Sequence, residues 1–261
     1  MAQIQWAPGP AKPALAAETV DVWLADLVDG TARETTFEQL LSEEERARAA
    51  RFVRPADGAR WRTARGILRT LLGAYLDADP RALRFAPGPH GKPALAGGKE
   101  RRAAAGSGAG AGDPSAGAAN QTAERLRFNL SHSGDTALIA VAREREVGVD
   151  VELPRRAVDH VAIARRILGE AEAARLQALD PPLREREFLR AWVRWEAVLK
   201  CRGTGIGGAD SVSGGPEPWI HELEIPLPGA AALAVADGPV AVRCWRWPPA
   251  EPGALRTISR P

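Results

Sequence analysis

Residues 147–152 read Val-Gly-Val-Asp-Val-Glu, and this alternation restricts what the surrounding chain can build. Side chains along a strand point to opposite faces in turn. Val147, Val149 and Val151 therefore share a face that asks for a core, and Asp150 and Glu152 share the other. Two carboxylates crowded on one side of a strand repel each other unless something neutralises them. A divalent cation does so. A half-exposed strand whose polar face is solvated answers this one segment equally well.

A third acidic residue sits in Trp192-Val193-Arg194-Trp195-Glu196-Ala197-Val198-Leu199-Lys200. On a helix, Glu196 and Lys200 lie one turn apart on one face. At a surface such a pair contributes little. Here large apolar neighbours point to a buried helix, and a buried Glu–Lys pair needs a reason, of which a metal–phosphate site is one. Asp150, Glu152 and Glu196 are thus candidate ligands of one ion. Magnesium suits them, since it takes oxygen ligands and keeps positions for water and substrate phosphates. The glycines from Gly203 to Gly208 follow this helix instead of preceding one, so they end it and do not form a phosphate loop.

Two further segments carry polar groups. Phe128-Asn129-Leu130-Ser131-His132-Ser133-Gly134 places a hydroxyl and an imidazole at a strand end. His90-Gly91-Lys92-Pro93 reads as a turn with Lys92 able to reach an anion. Either motif alone is explained as well by ordinary turn chemistry.

The chain has 261 residues, 45% of them hydrophobic and 26% charged, enough for one large domain or two small ones. A net charge of +2 gives no ground for generic nucleic-acid binding. Cys201, Cys244 and four scattered histidines match neither a disulfide framework nor a zinc spacing. No basic region followed by an apolar run opens the sequence, and no stretch is apolar enough to span a bilayer, so the expected location is the cytosol, with no membrane partner. Residues 19–28 predict a strand. Ser42 followed by Glu43, Glu44 and Glu45 predicts a helix to about Val53, and a second covers about 57–77. The Gly/Ala/Ser-rich segment 97–124 is expected to be a disordered loop. Strands are expected over 126–130, 136–142 and 147–153, and helices over about 158–168, 170–179 and 184–202. Three more strands follow towards the C-terminus. Strands and a long helix recur in both halves, hinting at a duplicated α+β unit.

Taken together and in this order, GKP, FNLSHS, GVDVE and WEAVLKCRGTGI resemble the motifs of the 4'-phosphopantetheinyl transferases, specifically the two-lobed monomeric type that serves nonribosomal peptide and polyketide synthases. The resemblance covers roughly residues 40 to 206. It implies an α+β fold, a pseudo-dimer of two similar lobes. Each lobe would be a small, mostly antiparallel sheet packed with helices, with the active site at the lobe interface and the divide near residue 140 (1–140 and 141–261). It implies transfer of phosphopantetheine from coenzyme A to a serine of an acyl or peptidyl carrier protein, giving 3',5'-ADP, with Mg2+, or Mn2+ in its place, as cofactor. Asp150, Glu152 and Glu196 would be its ligands. Glu152 or Glu196 would also activate the serine, and Lys200 would stabilise charge on the phosphates. Ser131, His132 and Lys92 match positions that contact coenzyme A. An arginine of the second helix would hold the 3'-phosphate: Arg60 by alignment, with Arg65 and Arg69 as rivals and Arg51 and Arg54 nearby. One position departs from the pattern: Trp195 stands where the family usually has a lysine. A non-catalytic coenzyme A- or carrier-binding relative is the alternative.

Overall fold

A computed structural model describes residues 6–28, 31–88, 91–96, 125–155, 158–205 and 216–248, giving the backbone alone for 31–35. The segment 97–124, expected to be a disordered loop, lies outside the described residues, as do His90 and Ile206 to Gly208.

The strands are β1 (Ala7–Pro8), β2 (Thr19–Asp26), β3 (Phe85–Pro87), β4 (Pro93–Leu95), β5 (Leu126–Ser133), β6 (Thr136–Arg143), β7 (Val147–Glu152), β8 (Trp219–Glu222), β9 (Ala230–Val235) and β10 (Ala241–Arg246). The helices are α1 (Thr31–Leu40), α2 (Glu43–Ala50), α3 (Pro55–Leu76), α4 (His160–Ile167), α5 (Glu170–Gln177) and α6 (Pro181–Arg202). Among the described residues no helix is long and apolar enough to cross a membrane.

The architecture is mixed α/β, in layers. One sheet has the order β1-β10-β2-β6-β5, and a second has the order β7-β9-β8. Alternation decides which face of each strand goes where. On β2, Trp23 and Ala25 face α3, and Ile67, Leu68, Leu71 and Leu72 close that core. Val20, Val22 and Leu24 face the other way and meet Val147, Val149, Val151 and Leu233 of the second sheet. The valine face foreseen in the sequence is fully buried between the sheets. The opposite face of the second sheet is covered by α6, with α4 and α5 beside it.

Gly148 sets the depth of that cover. A Cβ there would collide with the Ala197 carbonyl and the Cys201 amide of α6. Gly148→Ala is expected to cost about 3 kcal/mol or more, because backbone cannot step aside as a side chain can. Denaturant titration of the variant checks this, and a loss below about 0.5 kcal/mol would show that α6 can shift.

One expectation changes. The first sheet is not mostly antiparallel: β6 pairs antiparallel with β2 and β5, but β10 pairs parallel with β2, and β1 parallel with β10. A divide at residue 140 would also cut β6, whose seven inward and outward residues from Thr136 to Ala142 are all buried. The chain crosses between sheets at 144–146, and β10 comes back to the first sheet after the second is complete. Its return is held by Asp21, fully buried on β2. That carboxylate accepts hydrogen bonds from Arg243 Nε (2.6 Å) and Trp245 Nε1 (3.0 Å) of β10 and from the Tyr75 hydroxyl (2.6 Å) of α3.

Candidate active site

The two sheets meet where edge strand β5 lies beside edge strand β7, and side chains fill the role a backbone ladder would have. Asn129 Oδ1 accepts from the Val149 amide (2.9 Å), Ser131 Oγ donates to Asp150 Oδ1 (2.6 Å), and Ser133 Oγ donates to Glu152 Oε2 (2.7 Å) while accepting from the Leu153 amide (3.1 Å). The period of two puts Asn129, Ser131 and Ser133 on this face and Leu130 and His132 on the other. Predicting a strand only as far as Leu130 hid this zipper. The observed strand runs through Ser133, and carrying the alternation across Ser131 would have found it.

Above the zipper lies α6. Pro181 at its first position and Gly203 in the left-handed conformation just past its end fix its limits. Lys200 Nζ reaches Asp150 Oδ1 at 2.5 Å, Ser131 Oγ at 3.0 Å and Glu196 Oε2 at 3.1 Å. Ser131, Asp150, Glu196 and Lys200 thus form one cluster drawn from β5, β7 and α6. Glu152 is next to it, and its Oε2 also accepts from Arg155 at 3.1 Å.

Burial sets the electrostatics. Asp150 is 1% exposed, and loss of solvent pushes its carboxyl up to about 6, against the opposing pull of Lys200 and Ser131. Loss of solvent works against the Lys200 charge, but Asp150 and Glu196 outweigh it and hold the ammonium proton above the ordinary lysine value. One oxygen, Asp150 Oδ2, is buried without a hydrogen-bond partner. A carboxylate oxygen left so is costly, and a hard cation is the partner its chemistry suits. Carboxylate oxygens such as those of Asp150, Glu152 and Glu196 are the donor type such an ion takes. Even so, among the described residues no three His, Cys, Asp or Glu side chains gather closely enough to hold one, and it is the Lys200 ammonium that lies between Asp150 and Glu196.

On the other face of β5 a cleft of about 720 Å3 opens between α2, α3 and the β3–β4 hairpin. His132 projects into it. The ring is open to the cleft, yet enough protein surrounds it that loss of solvent, helped by the Lys200 charge, holds its pKa below the ordinary histidine value. Arg65 lines the wall, stacked 3.8 Å from the Phe85 ring centroid and bonded to Glu45 at 2.5 Å. Arg48, exposed on α2, lies 5.5 Å over Trp61.

Of the other predicted anion contacts, Arg60 and Lys92 lie outside the cleft wall and Arg69 borders it. Arg60 is not part of the cleft wall, and its guanidinium is engaged by Asp135 (2.6 Å) and Asp57 (3.1 Å). Arg69 is buried and spends its donors on Glu45, Pro80 O and Leu83 O. Lys92 pins the hairpin to the second sheet, donating to Glu146 Oε2 (2.7 Å) and Val147 O (3.0 Å) beside a separate cavity of about 500 Å3. Arg48, Trp61 and Phe85 were not singled out in the sequence; an arginine on a short surface helix carries no signal that separates it from its neighbours. Trp195 packs against Trp192 at a tilt of 47°, centroids 5.3 Å apart, continuing an aromatic row through Phe188 to His160.

A buried carboxylate, two half-buried ones and a lysine thus lie where the two sheets meet, and a cleft carrying Arg48, Arg65 and His132 lies on the other face of β5. Residues 146–235 match the 4'-phosphopantetheinyl transferase superfamily. The chain is 32% identical over 212 residues to the 4'-phosphopantetheinyl transferase HetI of Nostoc sp., covering 81% of this chain and 80% of that protein. It is 35% identical over 172 residues to the putative 4'-phosphopantetheinyl transferase slr0495 of Synechocystis sp., covering 66% of this chain and 61% of that one. A third relative, the 4'-phosphopantetheinyl transferase AcpT of Escherichia coli, is 38% identical over 78 residues, or 30% of this chain and 40% of that protein. The chain belongs to the 4'-phosphopantetheinyl transferase superfamily and is an enzyme of that kind.

Proposed function

We propose that the protein transfers 4'-phosphopantetheine from coenzyme A to a serine of an acyl or peptidyl carrier protein of nonribosomal peptide or polyketide type, acting as a monomer with Mg2+. The cluster of Asp150, Glu196, Lys200 and Ser131 beside the cleft is the observation that carries this reading. The same reading takes the two sheets with their helices as two lobes meeting along β5 and β7.

In this mechanism the nucleotide of coenzyme A lies in the cleft against Trp61 and Phe85, with Arg48 and Arg65 facing its phosphates. His132 contacts the diphosphate from the β5 side. Asp150, Glu152 and Glu196 are the residues that would hold Mg2+, which would neutralise diphosphate charge. The carrier serine oxygen bonds to the β-phosphorus, and the bond from that phosphorus to the bridging oxygen breaks. 3',5'-ADP leaves. Glu152 or Glu196 takes the serine proton. Lys200 donates to the phosphate oxygens as their charge grows. The work asked of the protein is mainly positioning and charge neutralisation, as in other phosphoryl-type transfers.

Incubating an apo carrier with coenzyme A and Mg2+ and weighing it by mass spectrometry tests the proposal. A gain of one phosphopantetheine supports it, and no gain across several carriers sinks it. Arg48→Ala is expected to raise KM for coenzyme A about tenfold with kcat little changed, since an exposed cation contributes binding common to ground and transition states. A KM within twofold of the parent would remove Arg48 from the phosphate contacts.

A further inference from the structure

We propose that the cavity behind the β3–β4 hairpin is a second ligand site, one that takes a small monocarboxylic acid with an apolar body. None of Ser131, Asp150, Glu196 and Lys200 lines it, so it stands apart from the transfer reaction proposed above.

The cavity holds about 500 Å3, inside the range of roughly 300–1,000 Å3 usual for small-molecule sites. The hairpin, the start of β5, the link at 144–146 and the end of α6 enclose it. Alternation gives it an apolar interior. Leu126 and Phe128 share the inward face of β5, and Pro93 and Leu95 close the hairpin side. Phe128 meets Phe85 edge-on, centroids 5.8 Å apart, and Phe85 belongs to the wall of the large cleft. This aromatic pair, with Pro93, is the partition between the two spaces.

Charge is uneven around the rim. Lys92, Arg127 and Arg202 line the cavity together with one carboxylate, Glu146. That carboxylate is shared: Oε2 accepts from Lys92 (2.7 Å) and Oε1 from Arg127 (2.9 Å). Lys92 is further held by Val147 O (3.0 Å). Arg202, the half-buried last residue of α6, makes no hydrogen bond or ion pair among the described residues. A cation suits the end of a helix, but that attraction leaves the guanidinium fork open. A carboxylate matches the fork in plane and spacing. A phosphate dianion fits less well, because Glu146 stands on the same rim and repels it. The apolar walls ask that the rest of the ligand be hydrocarbon, whose transfer out of water drives its binding.

The test is titration calorimetry of the full chain with sodium octanoate, for the parent, Arg202→Gln and Arg202→Lys. The parent is expected to bind a single octanoate, and Arg202→Gln to bind it about tenfold more weakly. Arg202→Lys, which keeps the charge and loses the fork, should fall between them. Octanamide, the same chain without the charge, should bind the parent weakly and be indifferent to Arg202→Gln. Thermal melts show whether each variant is folded. A diazirine-bearing octanoate analogue then locates the ligand on the parent: after irradiation, peptide mass spectrometry should find the label on 126–128 or 201–203. No octanoate binding to the parent overturns the proposal. So does binding left unchanged by Arg202→Gln in a folded protein. Label confined to the large cleft, on 42–48 or 61–69, also overturns it, and this arm decides by itself if a variant fails to fold.

Discussion

Glu196→Gln is expected to reduce phosphopantetheine transfer by about a thousandfold or more while leaving the protein folded. The amide keeps the shape of the side chain, so the α6 packing around Val193 and Ala197 is unchanged. Lys200 retains Asp150 and Ser131 as partners, so no buried cation is stranded. What disappears is a charge at the one point where α6 supplies a carboxylate to the cluster. Under the proposed mechanism that charge helps to hold the metal and is one of two candidates for taking the serine proton. Mass spectrometry of the carrier over time, beside a thermal melt, measures both quantities. A rate within tenfold of the parent, with folding intact, would remove Glu196 from the site.

The second large effect concerns stability. Glu45→Ala is expected to cost roughly 3–5 kcal/mol, because it strands a buried charge. Glu45 closes the capping box of α2: its backbone amide donates to Ser42 Oγ (3.3 Å) and its Oε2 accepts from the Ser42 amide (2.9 Å). The same carboxylate receives Arg65 on Oε1 (2.5 Å) and Arg69 on Oε2 (2.8 Å). The Arg69 side chain is only 2% exposed. Burial by itself would raise the Glu45 carboxyl. The two guanidiniums and the Ser42 amide outweigh that and hold it below the usual carboxylate value. A depressed folded-state pKa means the folded protein binds this proton less readily than the unfolded chain. Its contribution is therefore present above the ordinary carboxylate range and lost as pH falls through and below it. Denaturant midpoints of parent and variant should differ most near neutral pH and converge under acid. A difference below 1 kcal/mol at pH 7 would mean that Pro80 O and Leu83 O suffice for Arg69.

The parts of this structure legible in the sequence are those where a short-range period met a clear chemical contrast. Valine alternates with Gly148, Asp150 and Glu152 through β7, so both its faces could be assigned, and Ser42 with its acids marked the start of α2. Pro55 was read as a break, but proline also suits a first helical turn, and it opens α3. Helix α1 was missed because Thr31 to Leu40 has no amphipathic stripe to reveal it. The partners of Lys200 were beyond reach for a different reason. Asp150 and Ser131 lie 50 and 69 residues away, and no local pattern encodes which strand an ammonium will touch. Arg60, favoured for the 3'-phosphate by the family resemblance, is ion-paired with Asp57 and Asp135, and the Asp135 pairing too was beyond any local pattern.

The place of β10 has a consequence for how the protein is made. A ribosome delivers β2, β5 and β6 long before residues 241–246, yet the site needs β5 held in register against β7. Until the last strand emerges, one edge of β2 stays unpaired, with Val20 and Val22 at hand and Asp21 lacking Arg243 and Trp245. Such an edge invites the wrong neighbour. The nascent first sheet is thus the stage at which a chaperone has the most to protect, and a stop codon shortly before Ala241 removes the partner of β2 even though every residue of the candidate site has been synthesised.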